Sequence, residues 1–168
     1  MRMRNRRRVS RDDGRVWGTA VHRCIDAMIR GRKRDSLRMF ASAVLDEERL
    51  PPTLLDTLMR LLDGVAQSPA WKAIGDGSIA RSELSVMRAE QVGDRVVVTE
   101  GVIDLAIDDG ASWRVIDWKT DRDAAAWSAR IEGRTDQVLG YTSLLTAITG
   151  RPATGQLEHV ISADDATT

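Results

Sequence analysis

One cysteine in 168 residues, Cys24, leaves no partner for an internal disulfide. It also excludes a zinc site or iron–sulfur cluster held by several cysteines of this chain. Its place in a helical pattern reads as a small core residue. No apolar run approaches the roughly 20 residues of a membrane span, and no signal-peptide pattern follows the early arginines, so a soluble, cytoplasmic protein without membrane contact is expected. A Gly-Lys-Ser or Gly-Lys-Thr phosphate loop is missing, as are internal repeats and low-complexity linkers. Lysine is scarce: Lys33, Lys72 and Lys119 stand alone in a chain that otherwise writes positive charge as arginine. Lysine, unlike arginine, acts as a compact and tunable point charge, which draws attention to Lys119 inside a strand-like run.

The charge that is present is unevenly spread. Residues 1–38 hold 13 Arg and Lys against four Asp, a net of +9, and the remainder carries −9. Residues 1–15 read as a basic, mobile arm that could bind an anionic polymer or serve only as a solvating leader, and residues 16–168 as one domain.

The domain begins with a helical stripe of Val21, Ile25, Met28 and Ile29 closed by Gly31. His22 lies beside that stripe, where it could bond to Asp26 one turn on or reach into a neighbouring site. Residues 36–45 and 51–66 predict two more helices, the second with a stripe of Leu54, Leu55, Leu58, Leu61, Leu62 and Val65. Residues 78–90 predict a strand containing Glu83, with Gly93-Asp94 as the turn after it. Beyond a polar exit at 120–123, a short helix is expected over 124–131. A longer one, capped by Thr135 or Asp136 and ended by Gly150 and Pro152, follows, then a last strand over 154–162. The order predicts an α/β or α+β domain with a central mixed sheet and extra N-terminal helices.

The informative stretch is Val96–Thr120, two Val/Ile-rich arms around Asp108-Asp109-Gly110. Each arm carries an acid, Asp104 or Asp117, inside an apolar run, where an uncompensated carboxylate costs several kcal/mol. A four-residue loop at 109–112 pairs residues whose numbers sum to 221, placing Asp104 opposite Asp117 with Lys119 on the same face. Two readings follow: a metal site with an adjacent lysine, or a charged edge hairpin with a surface ion pair.

The motifs Gly18-Thr19-Ala20-Val21-His22, Ser82-Glu83-Leu84, Gly101-Val102-Ile103-Asp104-Leu105, Ile116-Asp117-Trp118-Lys119-Thr120 and Gln137-Val138-Leu139-Gly140-Tyr141 occur in that order. Together they resemble the PD-(D/E)XK nuclease superfamily, specifically the RecB-type nuclease domain at the C-terminal end of AddA and RecB helicase-nuclease subunits. The resemblance runs from about Trp17 onward and implies a restriction-endonuclease-like core. It further implies Mg²⁺- or Mn²⁺-dependent hydrolysis of DNA phosphodiesters at single-stranded or duplex ends, as an exonuclease module in end processing and recombinational repair, with a helicase domain or subunit as partner. His22, Asp104, Asp117 and the Trp118 carbonyl would hold the metal, and Lys119 would orient water or stabilise the transition state. Gln137 and Tyr141 would position DNA or the lysine, and Glu83 would bind a second metal or hold Lys119. Some relatives carry a cysteine-bound iron–sulfur cluster, which the single cysteine argues against. Nothing in the chain resembles the ATPase motor. The alternatives are a non-catalytic DNA-binding or assembly module of the same fold, and a phosphohydrolase of small nucleotides.

Overall fold

The computed structural model describes the backbone of residues 11–75, 78–120 and 124–160, and the side chains of 14–74, 78–120 and 135–160. Helix α1 (Arg11–Ile29) starts inside the stretch read as an arm, and packs with α2 (Arg34–Glu47) and α3 (Leu55–Gln67) into one layer. The reason is periodicity. Ala20, Val21, Cys24 and Ile25 on α1, and Leu58, Leu61, Leu62 and Val65 on α3, recur every three to four residues and are all buried. Each fully buried Leu or Ile contributes about 1.5–3 kcal/mol of transfer free energy. Cys24 is wholly buried as expected, and desolvation pushes its thiol up to about 12. A short α4 (Pro69–Lys72) follows, capped by Ser68, whose Oγ accepts from Trp71 N at 3.1 Å.

Four strands form one sheet in the order β1 (Ile79–Val92), β2 (Arg95–Asp108), β3 (Trp113–Lys119), β4 (Ala153–His159). The first three pair antiparallel and β4 lies parallel to β3, reached by the crossover helix α5 (Ala124–Thr149). The mixed sheet flanked by helices is the expected fold class. Gly93-Asp94 makes the two-residue β1–β2 turn, and Gly93 (φ +59°) takes the positive φ such turns require. The 221 register holds in the β2–β3 ladder, with Leu105 opposite Ile116 and Asp108 opposite Trp113. That ladder is short, however. Beyond Leu105 the two strands separate, and the distal half of β2 pairs only with β1. Val96, Val97 and Val98 therefore stand 46–62% exposed on a projecting ribbon, where alternation and β-propensity suggested a half-buried surface.

The sheet's two faces carry different clusters. Leu105, Ile107, Ile116 and Trp118 pack against α1–α3, whereas Ile103, Ala106, Trp113 and Val115 pack with Leu144 and Leu145 of α5. Along β3 this is simple alternation. Along β2 it is not, because Ile103 and Ala106 share a face three residues apart. On β1 the same change occurs: Ala80 packs with the helical layer, Leu84 and Val86 with the α5 cluster. The β1–β2 pairs resume on either side, at Ser82–Leu105 and Leu84–Ile103, but omit Glu83 and Asp104. Glu83 itself has φ +49°, a left-handed conformation that costs a non-glycine residue about 1–2 kcal/mol.

Helix α5 is a single 26-residue element, not the two helices expected from the sequence. Thr135 and Asp136, read as N-cap candidates, lie within it, so tertiary packing overrides their local preference for a cap. Two glycines allow it to lie close on the sheet. A Cβ on Gly101 would meet Tyr141 Cε1 at 2.5 Å, and one on Gly155 would meet Val138 Cγ1 at 2.2 Å and Thr142 Cγ2 at 3.0 Å. Gly155→Ala is therefore expected to destabilise the fold by about 1–3 kcal/mol through overpacking. A lowered urea midpoint measures it, and an unchanged midpoint would mean that α5 can shift freely on β4.

Candidate metal centre

The break in the sheet is where the predicted residues gather. Past the last β2–β3 rung no ladder acceptor faces the Trp118 amide, and Asp104 supplies one: Trp118 N donates to Asp104 Oδ2 at 2.8 Å. From the helical layer His22 enters the same fork. Its Nδ1 lies 3.3 Å from Asp104 Oδ1 and its Nε2 3.1 Å from the Trp118 carbonyl oxygen. The left-handed turn at Glu83 brings a second carboxylate. One ligand atom from each of His22, Glu83 and Asp104 lies within 4.8 Å of the others. Asp117, 2% exposed, is met by Lys119 Nζ at 2.6 Å through Oδ2. At that distance the ammonium, whose three N–H bonds rotate freely, forms a close ion pair with the buried carboxylate.

The electrostatics describe a site short of positive charge. Burial raises the Glu83 carboxyl above its usual range, and the like charge of Asp104 raises it further. Burial raises Asp117 as well, with Asp104 adding to the effect and Lys119 opposing it. For His22 the largest influence, desolvation, lowers the pKa. The hydrogen bond to Asp104 and the charges of Asp104 and Glu83 outweigh it, so the imidazole ends above its ordinary 6.5. Both ring nitrogens face oxygens, an arrangement that favours the doubly protonated ring. Three acids, an imidazole and a backbone carbonyl suit a hard divalent cation. A spacing near 3 Å is also that of neighbouring ligands on one octahedral ion with bonds of about 2.1 Å. The residues present thus fit a divalent metal.

His22 bonds to Asp104 and Trp118, not to Asp26. Gln137 and Tyr141 sit on the α5 side of the sheet, away from α1, where Gln137 Nε2 donates to Tyr141 Oη at 2.9 Å and the ring lies over Gly101, three residues from Asp104. Asp117 stands beside the three-residue cluster, held to Lys119. Sequence reasoning missed Ser82 and the partner of Asp26. Asp26 accepts from Ser82 Oγ and from Arg30 Nε at 2.8 and 2.9 Å. The four-residue interval from His22 to Asp26, which puts both on one helical face, was the available signal. A cleft of about 440 Å³ opens over this face of α1, lined by Gly18, Thr19, His22, Asp26 and Glu83 with Arg15 and Arg23. The larger groove of about 730 Å³ between the ribbon and α5 holds an Arg88–Glu90 pair and none of the cluster residues.

A mixed sheet flanked by helices, with acids and a lysine at a fork between strands, is the setting in which the comparisons fall. The family model of the PD-(D/E)XK nuclease superfamily matches residues 1–164, and the chain belongs to that superfamily. Nucleases of this superfamily use divalent metal ions, consistent with the donor set at the fork. No curated protein sequence matches the chain. Among solved structures it is similar to the crystal structure of SSO0001, at 20% identity and a TM-score of 0.39, over 89% of this chain. The chain spans 61% of the length of that structure. Among the described residues no helix is long and apolar enough to cross a membrane.

Proposed function

We propose that this chain is a Mg²⁺- or Mn²⁺-dependent deoxyribonuclease, whose ion is held by His22, Glu83 and Asp104, with Asp117 and the Trp118 carbonyl completing the set. The observation that carries the reading is the convergence of His22, Glu83 and Asp104 within 4.8 Å beside the Lys119–Asp117 pair. The ion, when bound, activates water and neutralises charge on the scissile phosphate. Asp104 orients His22 and Trp118 at once, because its two oxygens meet both. Asp117 fixes Lys119, whose ammonium sits where it can hold the attacking water or offset charge building on phosphate oxygens. Gln137 and Tyr141, joined to each other on the α5 side of the sheet, position the DNA strand or support the lysine's surroundings. The Gly18–His22 and Gln137–Tyr141 motifs support the finer reading of a RecB/AddA-type exonuclease module that acts on DNA ends in recombinational repair with a helicase partner.

Cleavage of linear single- and double-stranded DNA in the presence of Mg²⁺ or Mn²⁺, abolished by EDTA, tests the proposal. Equal turnover of mononucleotides would point instead to a small-molecule phosphohydrolase, and absence of Mn²⁺ binding by calorimetry to a non-catalytic module. A pH dependence belongs to the same test. The metal takes a neutral imidazole, whereas in the free protein Asp104 and Glu83 make His22 hold its proton to higher pH than an ordinary histidine. Mn²⁺ affinity is therefore expected to rise with increasing pH as His22 loses its proton, with net proton release on binding. Calorimetry in buffers of different ionisation enthalpy counts that proton; affinity independent of pH with no release would remove His22 from the ligand set.

A further inference from the structure

We infer that Asp26 and Ser82 form a clamp that holds Glu83 in its left-handed conformation, and thereby sets the third ligand of the metal centre proposed above. The inference rests on that reading of the site. Glu83 is one of only two non-glycine residues with positive φ among the described residues, and it interrupts a strand whose pairing is regular on both sides. A strand residue in the ordinary extended conformation would continue the alternation of β1. The left-handed φ instead coincides with the change of face between Ala80 and Leu84 and with a carboxylate placed beside His22 and Asp104. Such a conformation persists only where its surroundings over-determine it.

The surroundings are specific. Ser82, immediately before Glu83, remains paired to Leu105 and donates its hydroxyl to Asp26 Oδ1. Asp26 is in turn fixed by Arg30 one turn along α1, at 2.8 and 2.9 Å. His22 and Asp26 lie one turn apart on the same helix, so α1 grips β1 through Asp26 and contributes a ligand through His22. The helix therefore sets the spacing between its own imidazole and the carboxylate of Glu83. Asp26 and Ser82 are positioning residues, acting through Glu83.

A double-mutant cycle read by Mn²⁺ calorimetry tests this. Ser82→Ala, which changes no charge, is expected to weaken Mn²⁺ binding about tenfold, at the low end of what removal of an outer support of a metal ligand costs. Ser82→Thr keeps the hydroxyl and should bind like wild type. Asp26→Asn keeps an acceptor for Ser82 and should lose less than Ser82→Ala. In a Glu83→Ala background Ser82→Ala should have no further effect, since its target is gone. Circular dichroism and melting curves confirm that each variant titrated is folded. Additive losses in the cycle, or a Ser82→Ala protein that binds Mn²⁺ like wild type, overturn the inference and leave the His22–Asp104 site standing. A loss with Asp26→Asn larger than with Ser82→Ala also overturns it, because Asp26 would then act by its charge. Failure of the wild-type protein to bind Mn²⁺ overturns the site reading itself, and the clamp with it.

Discussion

Lys119→Ala is expected to lower the single-turnover rate of DNA cleavage by about 10²–10³ at saturating Mn²⁺, the usual effect of removing one charge-stabilising donor from a preorganised site. Mn²⁺ affinity should be unchanged or slightly higher, because the substitution removes a cation from beside the cluster. The separation of the two effects is the informative result. Lys119 Nζ meets Asp117 Oδ2 at 2.6 Å, and Asp117 is 2% exposed, so truncation strands a buried carboxylate. That carboxylate is already raised by burial and loses the neighbour that opposes the rise, so in the metal-free variant it titrates higher still. Lys119→Arg is not expected to restore the rate, since a planar fork cannot replace a compact ammonium in a partly buried corner. Cleavage by Lys119→Ala within a few fold of wild type would leave the lysine a structural partner of Asp117 and nothing more.

Asp104→Ala should lower Mn²⁺ affinity by more than about 100-fold, the upper end of what loss of an outer-shell partner costs, because it removes a ligand outright. It also severs three local relations: the Trp118 N–H acceptor at 2.8 Å, the His22 Nδ1 contact at 3.3 Å and the like-charge neighbour of Glu83. Asp104→Asn isolates the metal effect, because the amide oxygen can still accept from Trp118. Its fold should be intact and its metal affinity still strongly reduced. In both variants the Glu83 carboxyl should titrate lower than in wild type, though still raised by its burial, and carboxyl-resolved NMR titration measures the shift. Full Mn²⁺ affinity in Asp104→Asn would exclude this carboxylate from the centre.

Much of this site could be read from residue order, and particular residues show why the rest could not. The 221 register followed from the turn residues Asp108-Asp109-Gly110 and period-two alternation, and the structure has it from Leu105–Ile116 to Asp108–Trp113. The helical stripe placed His22 on a face that could reach a neighbouring site, but only the packed α1–sheet interface chose Asp104 and Trp118 over Asp26. The left-handed turn at Glu83 was invisible because nothing in Ser82-Glu83-Leu84 favours positive φ, and the contact that Ser82 makes beside it is with Asp26, 56 positions away. The division of α5 into two helices failed for the reverse reason. Thr135 and Asp136 have real local preferences for a cap, and packing of the helix over Gly101 and Gly155 outweighs them. The valines of the distal ribbon carry a strand signal, but that signal does not say whether a layer will cover the strand.

The fork joins residues far apart in the chain: His22 and the Trp118 carbonyl are 96 positions apart. During synthesis the amphipathic helices α1–α3 emerge first, before the sheet residues Leu105, Ile107, Ile116 and Trp118 that share their core. The imidazole then waits without its partners. Its neighbours exist only once β2 and β3 have left the ribosome, and β3 gains its second pairing partner only after α5 has been made and crossed over to β4. A chain ending before Trp118 would therefore lack the carbonyl that faces His22, the Lys119 ammonium, and the residues Trp118 and Val160 that complete the core of the helical layer.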